Sequence, residues 1–264
     1  MKLGFIGSGN MGSALASAAA KAKGTELFIY DKNEEKAKEC AKALGAAVSD
    51  AENICKMCDF VFLGVKPNIL PSVASEISNH LNNDTVIVSM AAGVATYKIE
   101  AFLGKQDAKI IRIMPNTPVS VGEGMTLWCK NPNVTKTDEE NFLEIMSASG
   151  KLDFLDEKLI DAASAVSGCG PAFAYMFIDA LADGGVRCGL SREKALVYAA
   201  QMLKGSAEAF LAGSSHPDEL KDAVCSPGGS TIEGVLTLEG GAFRSLCAEA
   251  VSASYAKTKK LGEG

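Results

Sequence analysis

The feature that most constrains the fold is a glycine-rich segment near the amino terminus, directly after a short apolar run. The run is Leu3–Ile6, and an alanine-rich stretch with helical spacing follows the glycines. Glycines placed between a strand and a helix permit a tight turn, a close approach of backbone to a pyrophosphate, and close helix–strand packing. This context predicts a dinucleotide-binding βα unit with the phosphates at a helix N-terminus. The residues expected at the dinucleotide are Gly7, Ser8, Gly9, Asn10, Met11 and Gly12.

Short apolar runs and helix-patterned stretches alternate through the first half of the chain. This alternation is typical of βαβ units on a parallel sheet. The pattern predicts strands at Leu3–Ile6, Glu26–Tyr30, Ala46–Val48, Phe60–Leu63, Thr85–Ser89 and Lys109–Met114, and helices at Met11–Lys23, Asn33–Leu44 and Leu70–His80.

The second half of the chain has a different pattern. Beyond about Asp156 there is no strand pattern, and apolar residues recur at helical spacing after Pro171, after a Ser191 cap and from Phe243 onward. We therefore predict a Rossmann-type doubly wound α/β domain over residues 1–155, followed by an all-helical domain over residues 156–264. The helical half, about 110 residues, is small for a self-sufficient core and is expected to pack on a second copy. Periodicity alone equally allows its apolar stripes to face their own core.

Composition excludes several classes of protein. The 264 residues carry a net charge of −6, which does not supply the clustered basic surface of a nucleic-acid-binding protein. The eight cysteines form no dense framework and are expected to be free in a reducing compartment. Cys55 and Cys58 make a CxxC, but no second ligand pair accompanies it, and no metal cluster has a recognised spacing. We expect no metal and no nucleic-acid partner.

Targeting signals are missing from the pattern as well. Met1 leads straight into a strand-like run without a signal-peptide core. The uncharged run Ala162–Ile178 is interrupted by Ser-Gly-Cys-Gly-Pro and is shorter than the roughly 18–20 apolar residues of a membrane span. We therefore expect a cytoplasmic protein without a membrane partner.

Further cofactor contacts are expected at the carboxyl ends of the predicted strands, where open parallel sheets bind ligands. Asp31 ends the second strand and would accept hydrogen bonds from ribose hydroxyls, which favours NADH, whereas the neighbouring Lys32 would meet the 2′-phosphate of NADPH. Asp31-Lys32-Asn33 is also plausible as a helix cap with no role in cofactor binding. The choice between NADH and NADPH therefore remains open. Two loops of small residues after the fourth and fifth strands are further candidates: Gly64, Val65, Lys66 and Pro67, and Ala91, Ala92 and Gly93.

Few side chains suit proton transfer. The two histidines, His80 and His216, lie where surface or capping roles are expected, and the helix after Pro171 carries no lysine. An alcohol or hydroxyacid dehydrogenase usually needs a placed base, whereas a C=N bond that arrives protonated needs orientation and a hydrogen bond. The pattern thus favours reduction of an imine.

One loop of the helical half is suited to an anionic substrate. Cys225 opens the run Ser-Pro-Gly-Gly-Ser-Thr, and a helical pattern follows. Exposed N–H groups at a helix start favour a carboxylate, and the loop adds hydroxyl groups. An ordinary N-cap turn is the alternative interpretation.

These segments together resemble pyrroline-5-carboxylate reductase over essentially the whole chain. Beyond the loops already described, the matching pieces are Arg-Ile-Met-Pro-Asn-Thr-Pro from Arg112, Ser-Gly-Cys-Gly-Pro-Ala from Ser167 and Ser-Pro-Gly-Gly-Ser-Thr-Ile-Glu from Ser226. The first and the last of these three are specific. The resemblance implies reduction of 1-pyrroline-5-carboxylate to L-proline by NADPH or NADH. It also implies dimers formed through the C-terminal helices, assembled into a larger ring.

The resemblance also implies roles for individual residues. Thr231 would be the catalytic residue, hydrogen-bonded to the ring nitrogen, and Asn116 and Thr117 would line the nicotinamide end of the cofactor. The family often has an Asn in contact with the adenosine where Ala51 stands here. The substrate-binding residues implied are Ser226, Gly228, Gly229, Ser230, Thr231 and Glu157.

Two other functions fit parts of the pattern. A hydroxyacid-dehydrogenase-like enzyme or another imine reductase would share the architecture, although the lysine-free helix after Pro171 counts against the former. A non-enzymatic NAD(P)H sensor would keep the glycine loop, but it would have no need of the Ser-Pro-Gly-Gly-Ser-Thr loop.

Overall fold

A single eight-stranded sheet organises the first part of the chain, in a computed structural model that describes residues 1–263. The strand order is β3-β2-β1-β4-β5-β6-β7-β8. The strands are β1 (Lys2–Ile6), β2 (Glu26–Tyr30), β3 (Ala47–Val48), β4 (Phe60–Leu63), β5 (Val86–Ser89), β6 (Lys109–Met114), β7 (Gly124–Lys130) and β8 (Gly150–Phe154).

The direction of the strands identifies the architecture. Strands β1 to β6 are parallel, and their order is that of the Rossmann fold, in which the chain reverses direction across the sheet between β1 and β4. This confirms the predicted fold class. The order also places the ends of β1 and β4 side by side, which is where such sheets bind ligands.

Two strands extend the sheet beyond this core. β7 runs antiparallel to β6, and β8 runs parallel to β7. The sequence analysis predicted β1 to β6 and did not predict these two. β7 is buried on both faces from Thr126 to Cys129, so it lacks the polar–apolar alternation of a half-exposed strand, whereas β8 is mostly exposed.

Helices cover both faces of the sheet because successive strand residues point to opposite sides. Phe5 of β1 stacks on Phe62 of β4 at 4.5 Å between ring centroids, in the core beneath α1, α2 and α6. Ile6 points to the other core, beneath α3, α4 and α5. These helices are α1 (Asn10–Ala19), α2 (Glu34–Leu44), α3 (Ala51–Met57), α4 (Leu70–Ser78), α5 (Thr96–Leu103) and α6 (Lys136–Met146).

Within the described residues, only helices follow β8, as predicted. They are α7 (Glu157–Ser167), α8 (Gly170–Arg187), α9 (Arg192–Ala212), α10 (Pro217–Ala223), α11 (Ser230–Gly240) and α12 (Phe243–Glu263). Ser191 caps α9, and His216 caps α10 from an exposed position, in agreement with the roles expected from the sequence.

The chain divides into two compact units. One comprises Met1–Cys169 together with the residues from Ala253 onward, and the other is Gly170–Ser252. Helix α7 therefore groups with the sheet, against which Ile160 is fully buried. The domain boundary predicted between residues 155 and 156 follows the change from strands to helices and stays a prediction.

The unit Gly170–Ser252 has very little core of its own. Its buried side chains are three alanines, Ala182, Ala195 and Ala199, whereas large apolar side chains such as Met176 and Leu246 are 72% and 59% exposed. By length and composition alone, the stretch Glu157–Arg187 would be long and apolar enough to cross a membrane. The apolar stripes predicted from the sequence thus exist, and a single copy leaves much of them uncovered.

Candidate cofactor and substrate site

In the glycine loop between β1 and α1, the backbone approaches itself closely at Gly7, Gly12 and Gly64. Gly7 has φ of +102°, a conformation that residues with a Cβ rarely adopt. A Cβ at Gly12 would lie 2.1 Å from the Gly7 carbonyl oxygen, and one at Gly64 would lie 2.6 Å from it. These three glycines are therefore required by packing between β1, α1 and the end of β4.

Gly9 is placed differently from the other glycines of the loop. A Cβ there would meet nothing within 4 Å, so the Gly9 backbone borders open space. Gly9 is also the N-cap of α1, and no side chain of residues 1–263 caps this helix. An uncapped N-terminus beside an open glycine fits a dinucleotide pyrophosphate, because the first N–H groups of the helix remain available to its oxygens.

Asp31 ties the end of β2 to this loop. Its Oδ2 accepts hydrogen bonds from the Ser8 backbone N–H at 2.7 Å and the Ser8 hydroxyl at 3.1 Å, and its Oδ1 accepts one from the Asn33 N–H at 2.9 Å. Partial burial raises the pKa of Asp31, but these hydrogen bonds outweigh it and hold the pKa below its ordinary value. Asp31 is thus a charged residue with structural partners, and Asn33 rather than Asp31 caps α2.

A cleft of about 570 Å³ runs along the carboxyl ends of β1, β2 and β4. It brings together many of the residues predicted to bind the cofactor: Gly7, Gly9, Asp31, Lys32, Gly64, Val65 and Lys66. Ala51 also lines the cleft, where the resemblance pointed to the adenosine. The sequence analysis did not identify Tyr30, Ile69, Ser72 and Glu76, which line the same cleft, because they carry no motif of their own.

The loop after β5 lies beside a second cleft, of about 380 Å³, in the same compact unit. Gly93 of the predicted cofactor loop and Glu157, implied to bind substrate, both line it. The Glu157 carboxylate has partners within the protein itself. It accepts hydrogen bonds from the Thr96 N–H at 2.7 Å and from the Thr96 hydroxyl at 2.8 Å.

A buried arginine lies behind this carboxylate. Arg112 of β6 is only 2% exposed, its Nη1 lies 3.5 Å from Glu157, and its Nη2 donates to Asp161. Glu157 and Asp161 lie one turn apart on the same face of α7. The sequence analysis gave Arg112 no role, although a lone arginine within a buried apolar strand is itself a signal, since such a charge requires a partner.

Asn116, expected at the nicotinamide end of the cofactor, connects the segment after β6 to β7 and to the end of α7. Its Oδ1 accepts from the Met125 N–H at 2.9 Å, and its Nδ2 donates to the Ser167 carbonyl at 3.0 Å. The neighbouring Thr117 is exposed and begins a short 3₁₀ helix. The Asn116 side chain therefore holds the backbone at Met125 and Ser167 in place. Its contact with the cofactor stays a prediction.

The Ser226–Thr231 loop forms the start of α11 in the second unit. Gly228 has φ of +67°, and the Gly229 N–H donates to the Ser226 carbonyl at 3.0 Å, which closes a tight turn. Gly229 is the N-cap of α11, and no side chain in the described part of the chain caps this helix. Ser230 and Thr231 are exposed on its first turn. The loop thus presents hydroxyls and uncapped N–H groups on one surface.

Within residues 1–263, no group of three His, Cys, Asp or Glu side chains is placed to hold a metal ion. All eight cysteines are free. Burial raises the pKa of the Cys55, Cys58 and Cys129 thiols to about 12, so these are packing residues and not nucleophiles.

Two family models match the chain, one in each half. Residues 157–261 match the model described as pyrroline-5-carboxylate reductase dimerisation. Residues 2–93 match the model described as NADP oxidoreductase, coenzyme F420-dependent. The helical region is thus a dimerisation region, which accounts for the exposed apolar stripes of α8 to α12 and decides between the two alternatives that periodicity left open.

Relatives match over nearly the whole chain. Pyrroline-5-carboxylate reductase of Escherichia coli (strain K12) is 40% identical over 99% of this chain and 98% of its own length. Pyrroline-5-carboxylate reductase 2 of Homo sapiens is also 40% identical, over 99% of this chain and 84% of its own. The crystal structure of Plasmodium falciparum pyrroline carboxylate reductase with NADP bound superimposes with a TM-score of 0.90 at 37% identity, covering 99% of this chain and 98% of that one. With this identity along its full length, with the fold and with the loops described above, the chain belongs to the pyrroline-5-carboxylate reductase family.

Proposed function

We propose that this protein reduces 1-pyrroline-5-carboxylate to L-proline with NADPH or NADH. The observation that carries the proposal is the start of α11, where the exposed Ser230 and Thr231 follow the turn at Ser226 and no side chain of the described residues caps the first N–H groups. Such a surface suits a small molecule with a carboxylate and one further hydrogen-bonding group. The family membership and the open glycine loop support the same reaction.

The residues of the first unit would hold the cofactor. The uncapped N-terminus of α1 and the open backbone of Gly9 would take the pyrophosphate, and the cleft beside Asp31 and Lys32 would take the adenosine end. We extend the cofactor site to Pro67, Ala91, Ala92 and Thr117, which lie in the segments that follow β4, β5 and β6. When bound, NAD(P)H supplies the hydride for reduction of the C=N bond.

The residues of α11 would bind and orient the substrate. Backbone N–H groups from Gly228 to Thr231 would hold the carboxylate, and the Thr231 hydroxyl oxygen would accept a hydrogen bond from the protonated ring nitrogen. Because the imine nitrogen can arrive protonated, no side chain has to deliver a proton during the reduction, and orientation replaces general-acid catalysis. This is consistent with the histidines, since His80 lies beside Glu52 and His216 caps α10, so each has a structural role.

A substrate panel tests the proposal and separates it from its rivals. Oxidation of NADH and of NADPH is followed by absorbance, first with 1-pyrroline-5-carboxylate and then with 2-keto acids, other cyclic imines and no substrate. We expect turnover with the pyrroline and proline as its product. Turnover only with keto acids would indicate a hydroxyacid dehydrogenase, and cofactor binding without any turnover would indicate a sensor; either outcome contradicts the proposal.

We also propose a cytoplasmic enzyme whose dimers assemble into a larger ring. The free cysteines favour a reducing compartment, and the ring is what the family resemblance implies. Sedimentation equilibrium on the full chain tests the assembly. A dimer that persists unchanged at high concentration would contradict the ring while leaving the dimer intact.

A further inference from the structure

We propose that Glu157 is a positioning residue for the cofactor and not a substrate ligand, and that it acts with Gly262 to fix the loop from Ala91 to Ala95. The proposal deepens the proposed function and rests on it, because this loop is the one expected to approach the bound dinucleotide. The two residues stand at the beginning and just beyond the end of the region that matches the dimerisation model. The region that makes the dimer would thus also shape the cofactor site.

Glu157 supplies a helix cap that the local sequence lacks. The N-cap of α5 is Ala95, whose side chain has no acceptor. Glu157, which is distant in sequence, supplies the missing acceptor. One of its carboxylate oxygens accepts a hydrogen bond from the Thr96 N–H at 2.7 Å, and the other accepts one from the Thr96 hydroxyl at 2.8 Å. A carboxylate at this end also complements the helix dipole. The far end of the loop after β5 is therefore held by α7.

The buried Arg112 holds the carboxylate of Glu157 in this position. Arg112 contacts Glu157 through Nη1 and Asp161 through Nη2, so the arginine and both acids form one group between β6 and α7. Both oxygens of Glu157 already have donors on the protein. A carboxylate bound in this way is oriented for capping, and Arg112, which also pairs with Asp161, offsets part of its negative charge.

The end of α12 holds the middle of the same loop. Gly93 has φ of +76°, and a Cβ on Gly262 would lie 2.1 Å from the Gly93 carbonyl oxygen. Lys98 of α5 donates to the Gly262 carbonyl, which ties the end of α12 to α5. Only a residue without a Cβ fits this approach. Gly93 is accordingly a packing residue as well as a member of the predicted cofactor loop.

A positioning role and a substrate role predict different kinetic changes. If Glu157 fixes the loop, its loss weakens cofactor binding even when no substrate is present, and leaves the KM for the pyrroline unchanged at saturating cofactor. If Glu157 contacts substrate, the KM for the pyrroline rises and the cofactor Kd does not change. The cofactor Kd is therefore the decisive readout.

The experiment compares Glu157→Ala, Glu157→Gln and Gly262→Val with the wild-type full chain. The Kd of NADPH and of NADH is measured by fluorescence titration without substrate, and dimer content by sedimentation. Losing the cap hydrogen bonds is expected to raise the cofactor Kd about three- to tenfold in Glu157→Ala. Glu157→Gln keeps a carbonyl acceptor for Thr96 and should recover much of the affinity, and Gly262→Val should weaken binding in the same direction.

Glu140→Ala is the matched control, because Glu140 is an exposed acid on α6 whose only ion pair is with the exposed Lys136 among the described residues. Its cofactor Kd should equal that of the wild type.

Should Glu157→Ala fail to fold, Thr96→Val removes the hydroxyl bond alone and tests the same contact. A raised KM for the pyrroline with an unchanged cofactor Kd, or no change in either, would overturn the proposal. If the wild type binds cofactor but does not reduce the pyrroline, the proposed function fails while the cofactor titration still decides this inference.

Discussion

Thr231 is the residue on which the proposed chemistry depends most directly. Its hydroxyl is exposed on the first turn of α11, next to N–H groups that no side chain of the described residues caps. Removing one hydrogen bond to a bound substrate costs about 1–3 kcal/mol, so we predict that Thr231→Ala lowers kcat/KM roughly ten- to hundredfold. Thr231→Ser keeps the hydroxyl and should retain most activity. Wild-type kinetics in Thr231→Ala would remove Thr231 from the mechanism.

The choice between NADH and NADPH is also made at single residues. Asp31 is charged and anchored by Ser8 and Asn33, whereas the exposed Lys32 lies at the same cleft and is free to reach a 2′-phosphate. We predict that Lys32→Ala raises the KM for NADPH roughly two- to fivefold and leaves that for NADH unchanged. Lys36→Ala, on the first turn of α2, is the control for a general loss of positive charge. An equal effect of Lys32→Ala on both cofactors would contradict this assignment.

The buried cysteines give a pH-dependent prediction. With the pKa of Cys55, Cys58 and Cys129 raised to about 12, at pH 8 only about one such thiol in ten thousand is a thiolate. We therefore predict that iodoacetamide leaves these three unmodified in the native protein and labels them after denaturation, as read by mass spectrometry. Rapid native labelling of the Cys55–Cys58 pair would revive the redox interpretation that the sequence argued against.

At the scale of the element, α6 offers the clearest test of local stabilisation. Thr135 and Asp138 form a capping box, and Asp138 also pairs with Lys109. Partial burial raises the pKa of Asp138, but the hydrogen bonds from Thr135 and Lys109 outweigh it and lower the pKa below its ordinary value of 3.8. A lowered pKa means that this carboxylate stabilises the fold above pH 3.8 and that the contribution is lost as pH falls through the folded value.

The expected result is that Thr135→Ala costs about 1 kcal/mol of unfolding free energy at pH 7. Asp138→Asn should be destabilising at pH 7, and the difference from wild type should shrink as pH falls below 3.8 and through the lowered pKa of the folded state, where the wild-type acid becomes neutral as well. Urea unfolding at several pH values measures both. Lys136→Ala, an exposed residue of the same turn, is the control. A pH-independent effect of Asp138→Asn would show that its charge does not matter.

The elements also show what the sequence could predict and what it could not. The six parallel strands were predictable because each is a short apolar run bounded by turn residues, and the glycine loop because strand, turn and helix follow one another within a few residues. β7 was missed because Thr126 interrupts its apolar run, while its burial on both faces leaves no alternation that would identify a strand instead. The contacts that Glu157 and Gly262 make at the loop after β5 were not predictable, since they join residues far apart in sequence.

At the scale of the whole molecule, stability and assembly cannot be separated. The unit Gly170–Ser252 buries three alanines and leaves large apolar side chains exposed, so a single copy lacks the core that this many residues need. The match to a dimerisation family identifies what covers these surfaces. Folding of the helical region is therefore expected to be coupled to association with a second copy.

This coupling predicts a stability that depends on concentration. Because a bound partner stabilises the folded state by mass action, the Tm of the full chain should fall on dilution, and it should fall most where sedimentation shows dimers giving way to monomers. Met176→Glu, which places a charge on an exposed apolar face of α8, should shift that transition to higher concentration; Glu140→Ala, on α6, should not. The same dilution should weaken cofactor binding if the dimerisation region shapes the loop after β5. A Tm independent of concentration across the dimer–monomer transition would mean that the helices are stable alone, and the exposed stripes would then need another explanation.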